Sequence, residues 1–87
     1  MKKVFKYKLE VADLQSVTLP KGAKPLCVKL QNGTLCLWAL VDPNEVEQET
    51  VTIRCAGTGH PIEEDVKDYL GTEIMYGGSL VFHFFTV

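Results

Sequence analysis

Hydrophobic positions in this chain recur mainly with period two, the signature of half-buried strands. In Val4–Val11, Phe5, Tyr7, Leu9 and Val11 fall on one side, while Lys6, Lys8 and Glu10 fall on the other. Ser16–Leu19 reads as a short second strand, stopped by Pro20-Lys21-Gly22. Leu26–Gln31 and Thr34–Val41 flank Asn32-Gly33. That dipeptide is a strong hairpin signal, because a type I′ turn needs positive φ at both central residues.

The turn sets a register: Gln31 faces Thr34, Leu30 faces Leu35, Val28 faces Leu37, Cys27 faces Trp38 and Leu26 faces Ala39. One side of the hairpin, from Leu26, Val28 and Leu30 to Leu35, Leu37, Ala39 and Val41, is wholly apolar and belongs in a core. The other side is mixed, with Trp38 at its centre. After a polar loop beginning at Asp42-Pro43-Asn44, Thr50–Ala56 forms the next strand. Its Val51, Ile53 and Cys55 point one way; Thr52 and Arg54 point the other. If this strand shared a sheet with the hairpin, Arg54 would lie on Trp38's side.

The pattern then changes period. Ile62, Val66, Tyr69 and Leu70 follow helical spacing, Pro61 suits a first helical position, and Glu63, Glu64 and Asp65 suit the dipole of a first turn. Gly71 would close this helix, which spans about residues 61–70. Glu73–Tyr76 and Ser79–Val87 make a second hairpin around Gly77-Gly78. The last strand is apolar on both faces, which predicts a central strand or one covered by another subunit. The expected fold is mainly β: a small antiparallel β-sandwich or rolled sheet of six to seven strands with one short α-helix, in a single domain over residues 1–87.

Composition narrows the function classes. The chain is 46% hydrophobic with a net charge of -2, which excludes a disordered polyelectrolyte. A mildly acidic chain lacks the overall basic character that nucleic-acid binding asks for, and Lys2, Lys3, Lys6 and Lys8 read as solvated strand positions. No nucleic-acid partner is expected on that basis. Leu35–Val41 and Leu80–Phe85 are too short to cross a bilayer as helices, so no membrane association is expected. The three cysteines, Cys27, Cys36 and Cys55, have no C-x-x-C spacing, which argues against a zinc site and for reduced thiols.

Candidate chemistry concentrates in Arg54-Cys55-Ala56-Gly57-Thr58-Gly59-His60-Pro61. Gly57 and Gly59 would let backbone N–H groups approach an anion, Arg54 could hold phosphate or carboxylate through two donors, and Thr58 and His60 add hydrogen bonds. The plain alternative is a tight connection in which the glycines serve the turn, His60 caps the helix and Arg54 pairs with a nearby acid. Trp38 could stack on a planar ligand, pack, or anchor an interface. His83 among aromatics reads as a hydrogen-bonded core residue. No spacing selects a nucleophile and base, so an enzyme is not expected, nor is a cofactor or a metal.

The strings Leu35–Pro43 (LCLWALVDP), Gly57–Ile62 (GTGHPI) and Gly77–His83 (GGSLVFH) resemble a family of small proteins encoded by phages and prophages. The resemblance spans nearly the whole chain and implies an accessory protein in the host cytoplasm. Such proteins often blunt host defence, by binding a defence protein or by sequestering a nucleotide signal; others are virion components. The leading expectation is a homo-oligomer that sequesters a small anionic, nucleotide-type ligand through Arg54, Gly57–Gly59, His60 and Trp38. A protein inhibitor or adaptor docking through Trp38, or a minor virion component, is the alternative.

Overall fold

The computed structural model describes residues 1–87. It contains seven strands: β1 (Lys3–Lys8), β2 (Leu14–Pro20), β3 (Lys24–Gln31), β4 (Thr34–Val41), β5 (Gln48–Gly57), β6 (Tyr69–Met75) and β7 (Leu80–Thr86). They form two sheets, three-stranded β1-β4-β3 and four-stranded β2-β5-β7-β6, with every pairing antiparallel. A three-residue 3-10 turn, Tyr76–Gly78, links β6 to β7. The mainly β, two-sheet architecture predicted from the period-two pattern is the architecture observed.

The sheets meet face to face. The main core joins Val28, Leu35 and Leu37 of the small sheet to Ile53, Cys55, Leu70 and Phe84 of the large one. Leu19, Ala39 and Val41 form a second cluster at the other end. Phe84, Leu19, Leu37, Ile53, Val28 and Val41 are the largest side chains lost completely from solvent. Fully burying each aliphatic or aromatic side chain of this kind is worth about 1.5–3 kcal/mol. β7 is central, between β5 and β6, as its two apolar faces predict.

The Asn32-Gly33 turn sets the hairpin as expected, with φ of 50° and 79° at its two residues. The register follows the prediction from Gln31↔Thr34 through Cys27↔Trp38. A bulge then intervenes between Pro25 and Cys27, so that Pro25, not Leu26, faces Ala39. Leu26, expected in the core, is extruded and 41% exposed.

The predicted helix over 61–70 does not form. Residues Pro61–Asp68 run as an irregular segment, and Tyr69 and Leu70 already belong to β6. The cause is competition from strand pairing. The N–H of Lys67 donates to Thr86 O at 2.8 Å, and the N–H of Thr86 donates to Asp68 O at 2.9 Å. Pairing with β7 thus takes the second half of the amphipathic stretch. The remaining Pro61–Val66 falls short of the length at which helix propensity alone prevails. Gly71, expected as a helix terminator, sits instead at a β6 bulge with φ 134°. A Cβ there would lie 3.1 Å from Val28 O, so Gly71 lets β6 approach β3 where the two sheets converge.

Candidate functional site

The outward face of the four-stranded sheet carries the Arg54 segment. Strand alternation in β5 sends Ile53 and Cys55 inward and Arg54 outward, as the sequence predicts. Leu14, Arg54, Phe85 and Tyr69 form one row across the sheet. The segment following β5 passes over this row, and Arg54 ties it down. Nη1 donates to Cys55 O at 2.9 Å and to Asp13 O at 3.3 Å, and Nη2 donates to Pro61 O at 3.1 Å. Nε and Glu64 Oε1 are shielded from water and meet at 2.9 Å as an ion pair outside good hydrogen-bond alignment. The Arg54 side chain is 13% exposed.

Arg54, Gly57, His60 and Pro61 do share one groove, of about 420 Å³, with Asp13, Glu63 and Glu64 on its walls. The His60 ring packs on Gly57, where an added Cβ would come within 3.1 Å of Nδ1. Thr58 turns to a different partner: its hydroxyl lies 2.7 Å from His83 Nε2. His83 Nδ1 meets Thr72 Oγ1 at 2.9 Å, and Thr72 Oγ1 meets the Tyr69 hydroxyl at 2.5 Å. Both ring nitrogens of His83 are therefore partnered, on the outer face of the sheet rather than in the core. Three carboxylates around an arginine already engaged by its own fold leave the groove poorly suited to an anion.

Cys55, beneath this groove, has its thiol pushed above the ordinary value, first by burial and then by the charge of Asp13, with Arg54 opposing. It is a protonated core thiol, as the inward alternation predicts.

Trp38 lies elsewhere. β4 and β5 belong to different sheets, so Trp38 and Arg54 face outward on opposite sides of the sandwich. The condition on which they would share a side, a common sheet, is not met. Around Trp38 the register builds three rows. Lys8, Cys36 and Lys29 form one; Lys6, Trp38 and Cys27 the next; Val4, Leu40 and Lys24 the third. Lys6, Lys8, Lys24 and Lys29 are exposed, whereas Cys36 between them is buried. Lys6 Nζ reaches diagonally across the face to Gln31 Oε1 at 2.9 Å. β1, β3 and β4 contain no acidic residue; all 11 acids of the chain lie outside these strands. The first acid beyond this face, Asp42, is engaged by the N–H of Asn44 at 3.0 Å.

One family model matches residues 1–87, a domain of unknown function, DUF7352. The chain belongs to the DUF7352 family. No curated protein and no solved structure matches it. The DUF7352 chain therefore presents two separate surfaces: an acid-walled groove stabilised by Arg54, and a lysine-framed tryptophan. The hairpin register read from the sequence already puts Lys29 on Trp38's side. It misses Lys6, Lys8 and Lys24 as their neighbours, because the placement of β1 beside β4 and the β3 bulge carry no local signal.

Proposed function

We propose that this protein binds nucleotide-type anionic ligands through the Trp38 face of the three-stranded sheet. What carries the reading is a segregation of charge: four lysines surround the lone tryptophan on strands that hold no acid. An aromatic plane offers stacking to a base, and ammonium groups offer partners to phosphate. This keeps the ligand class expected from the sequence and moves the contact surface away from Arg54, whose guanidinium is occupied by Glu64 and three carbonyls. The resemblance to phage-encoded proteins would set this binding in an infected cell, against a host nucleotide signal.

Trp38 is the only tryptophan, so its emission reports directly on the surface. The test is a fluorescence titration at low salt with cyclic nucleotides, ADP-ribose and short oligonucleotides. Saturable quenching by at least one of them is expected, weakened in the double variant Lys6→Gln/Lys29→Gln and unchanged in His60→Ala. If His60→Ala abolishes binding and the lysine variant does not, the ligand belongs in the groove and the proposal is wrong. Unchanged emission with every compound is equally fatal to it.

A further inference from the structure

Three concavities indent the surface, and none reaches Trp38. One lies by Pro25, Thr50 and Asp68, one at Arg54 and His60, and one over Thr58 and Leu80. A tightly held small molecule is enclosed over most of its surface. The Trp38 face offers no walls for that. It offers an open sheet face with charge spread over it. Resting on the reading of this face as a nucleotide-type site, and against the expectation from overall charge of no nucleic-acid partner, we infer that its ligand is a single-stranded nucleic acid laid across β1, β4 and β3.

The argument is one of spacing. Lys8 and Lys29 flank Cys36, Lys6 stands at Trp38, and Lys24 stands at Leu40. Successive rows on one face are about 6.7 Å apart along a strand, and neighbouring strands about 4.8 Å apart. The four lysines are thus rooted over roughly 13 Å by 10 Å. Side chains spread that widely suit successive phosphates of a chain better than the one or two phosphates of a free nucleotide. Trp38, at the middle row, is placed to stack on one base of that chain. Every base has a π-face, so the contact tolerates sequence. A duplex keeps its bases paired and stacked and gives Trp38 no plane to meet.

Counterion release makes the inference quantitative. Each phosphate neutralised on a single strand contributes about −0.7 to the slope of log K against log salt concentration, so four lysines predict a slope of about −3. The experiment is fluorescence anisotropy with labelled oligothymidylate and oligouridylate, competed by strands from two to about twelve nucleotides, by duplex DNA and by anionic lipid vesicles. Affinity should rise at least about tenfold between dinucleotide and hexanucleotide, fall with the stated salt slope, and be weaker for duplex. The DNA and RNA arms distinguish the two sources of strand. Lys24→Gln and Lys29→Gln, both at exposed positions, should each make the slope shallower by about 0.7. Equal affinity for a dinucleotide and a long strand overturns the inference while leaving the nucleotide reading intact. Unmoved Trp38 emission with every nucleotide and every strand overturns both. Binding to vesicles without binding to any strand also overturns it, and assigns the face to lipid headgroups.

Discussion

Lys24 stands opposite Leu40, on the same side of the sheet as Trp38. If β3 ran without a bulge, Leu26 would face Ala39 and Lys24 would face Val41, which is completely buried. The bulge therefore does two things at once. It keeps a charge out of the core and adds a fourth lysine to the Trp38 face. Bulges commonly re-aim a side chain in this way.

The first prediction tests that relationship. Deleting Leu26 alone leaves Pro25 opposite Ala39 and Lys24 opposite Leu40, so the ladder closes without the bulge and the loss should stay within about 1 kcal/mol. Deleting Pro25 and Leu26 together brings Lys24 opposite Ala39, on the buried face, so the fold must bury a lysine or refuse the pairing. The expected cost is at least about 2 kcal/mol, as for other buried unpaired charges. Urea unfolding measures both. Similar losses in the two variants would show that strand length, and not the face of Lys24, sets the cost.

The second concerns the latch at Arg54. Its guanidinium holds the segment after β5 by three carbonyls and Glu64. Arg54→Met should cost about 2–3 kcal/mol, since it strands a largely shielded carboxylate and several carbonyls. Limited proteolysis between Thr58 and Asp68 should accelerate before the rest of the chain is cut. Asp13→Asn should have little effect, because Asp13 is 96% exposed and its carboxylate stands 4.0 Å from the guanidinium. Loss of stability without faster cutting in this segment would argue that Arg54 supports the sheet alone.

Much of this architecture is legible from local pattern, and the misses share a cause. Alternation in β5 foretells Arg54 outside and Cys55 inside, and Asn32-Gly33 foretells the hairpin as far as Cys27. The stretch from Pro61 to Leu70 has helical spacing, a suitable proline and suitable acids, yet β7 claims its second half through Thr86. Nothing local in the chain says that Thr86 will be there. That Trp38 and Arg54 face opposite sides is illegible in the sequence for the same reason. Strand parity gives inside or outside, while sheet membership comes from pairings distant in sequence. The lysine frame illustrates this best, since its members come from two strands, β1 and β3, that pair with β4 from opposite sides, and from one bulge.

A third prediction follows from the convergence of β6 and β3. At Gly71, φ is 134° and an added Cβ would press on the backbone carbonyl of Val28 at 3.1 Å. Gly71→Ala combines a strained backbone with a contact that no side-chain rotation relieves, so it should cost more than about 2 kcal/mol. Gly22→Ala has φ 80° but open space around it, so only the conformational cost of about 1 kcal/mol applies. Thermal melts of the two variants should therefore separate by several degrees, roughly 4 °C or more for a domain of this size. If they coincide, the approach of β6 to β3 is loose enough to accept a methyl group.

The last prediction uses the thiols. Cys27 is partly exposed, while Cys36 and Cys55 are buried, and all three are free. At mildly alkaline pH a disulfide reagent should react quickly with one thiol of the three and release the others only on unfolding. Cys55 adds a pH dependence. Its folded-state value is raised above the ordinary 9.0, chiefly by burial. In the folded chain it thus holds its proton at a pH where the unfolded chain has begun to lose it. Folding then binds more protons, so the stabilisation is fully present below the unfolded thiol value and is lost as pH rises through the folded one. Stability should decline above about pH 9, and Cys55→Ala should make that decline shallower. The check is urea unfolding of both proteins across the alkaline range. Parallel curves would mean that the Cys55 thiolate is tolerated, and that water or Arg54 reaches it more freely than its burial beside Ile53 and Phe84 implies.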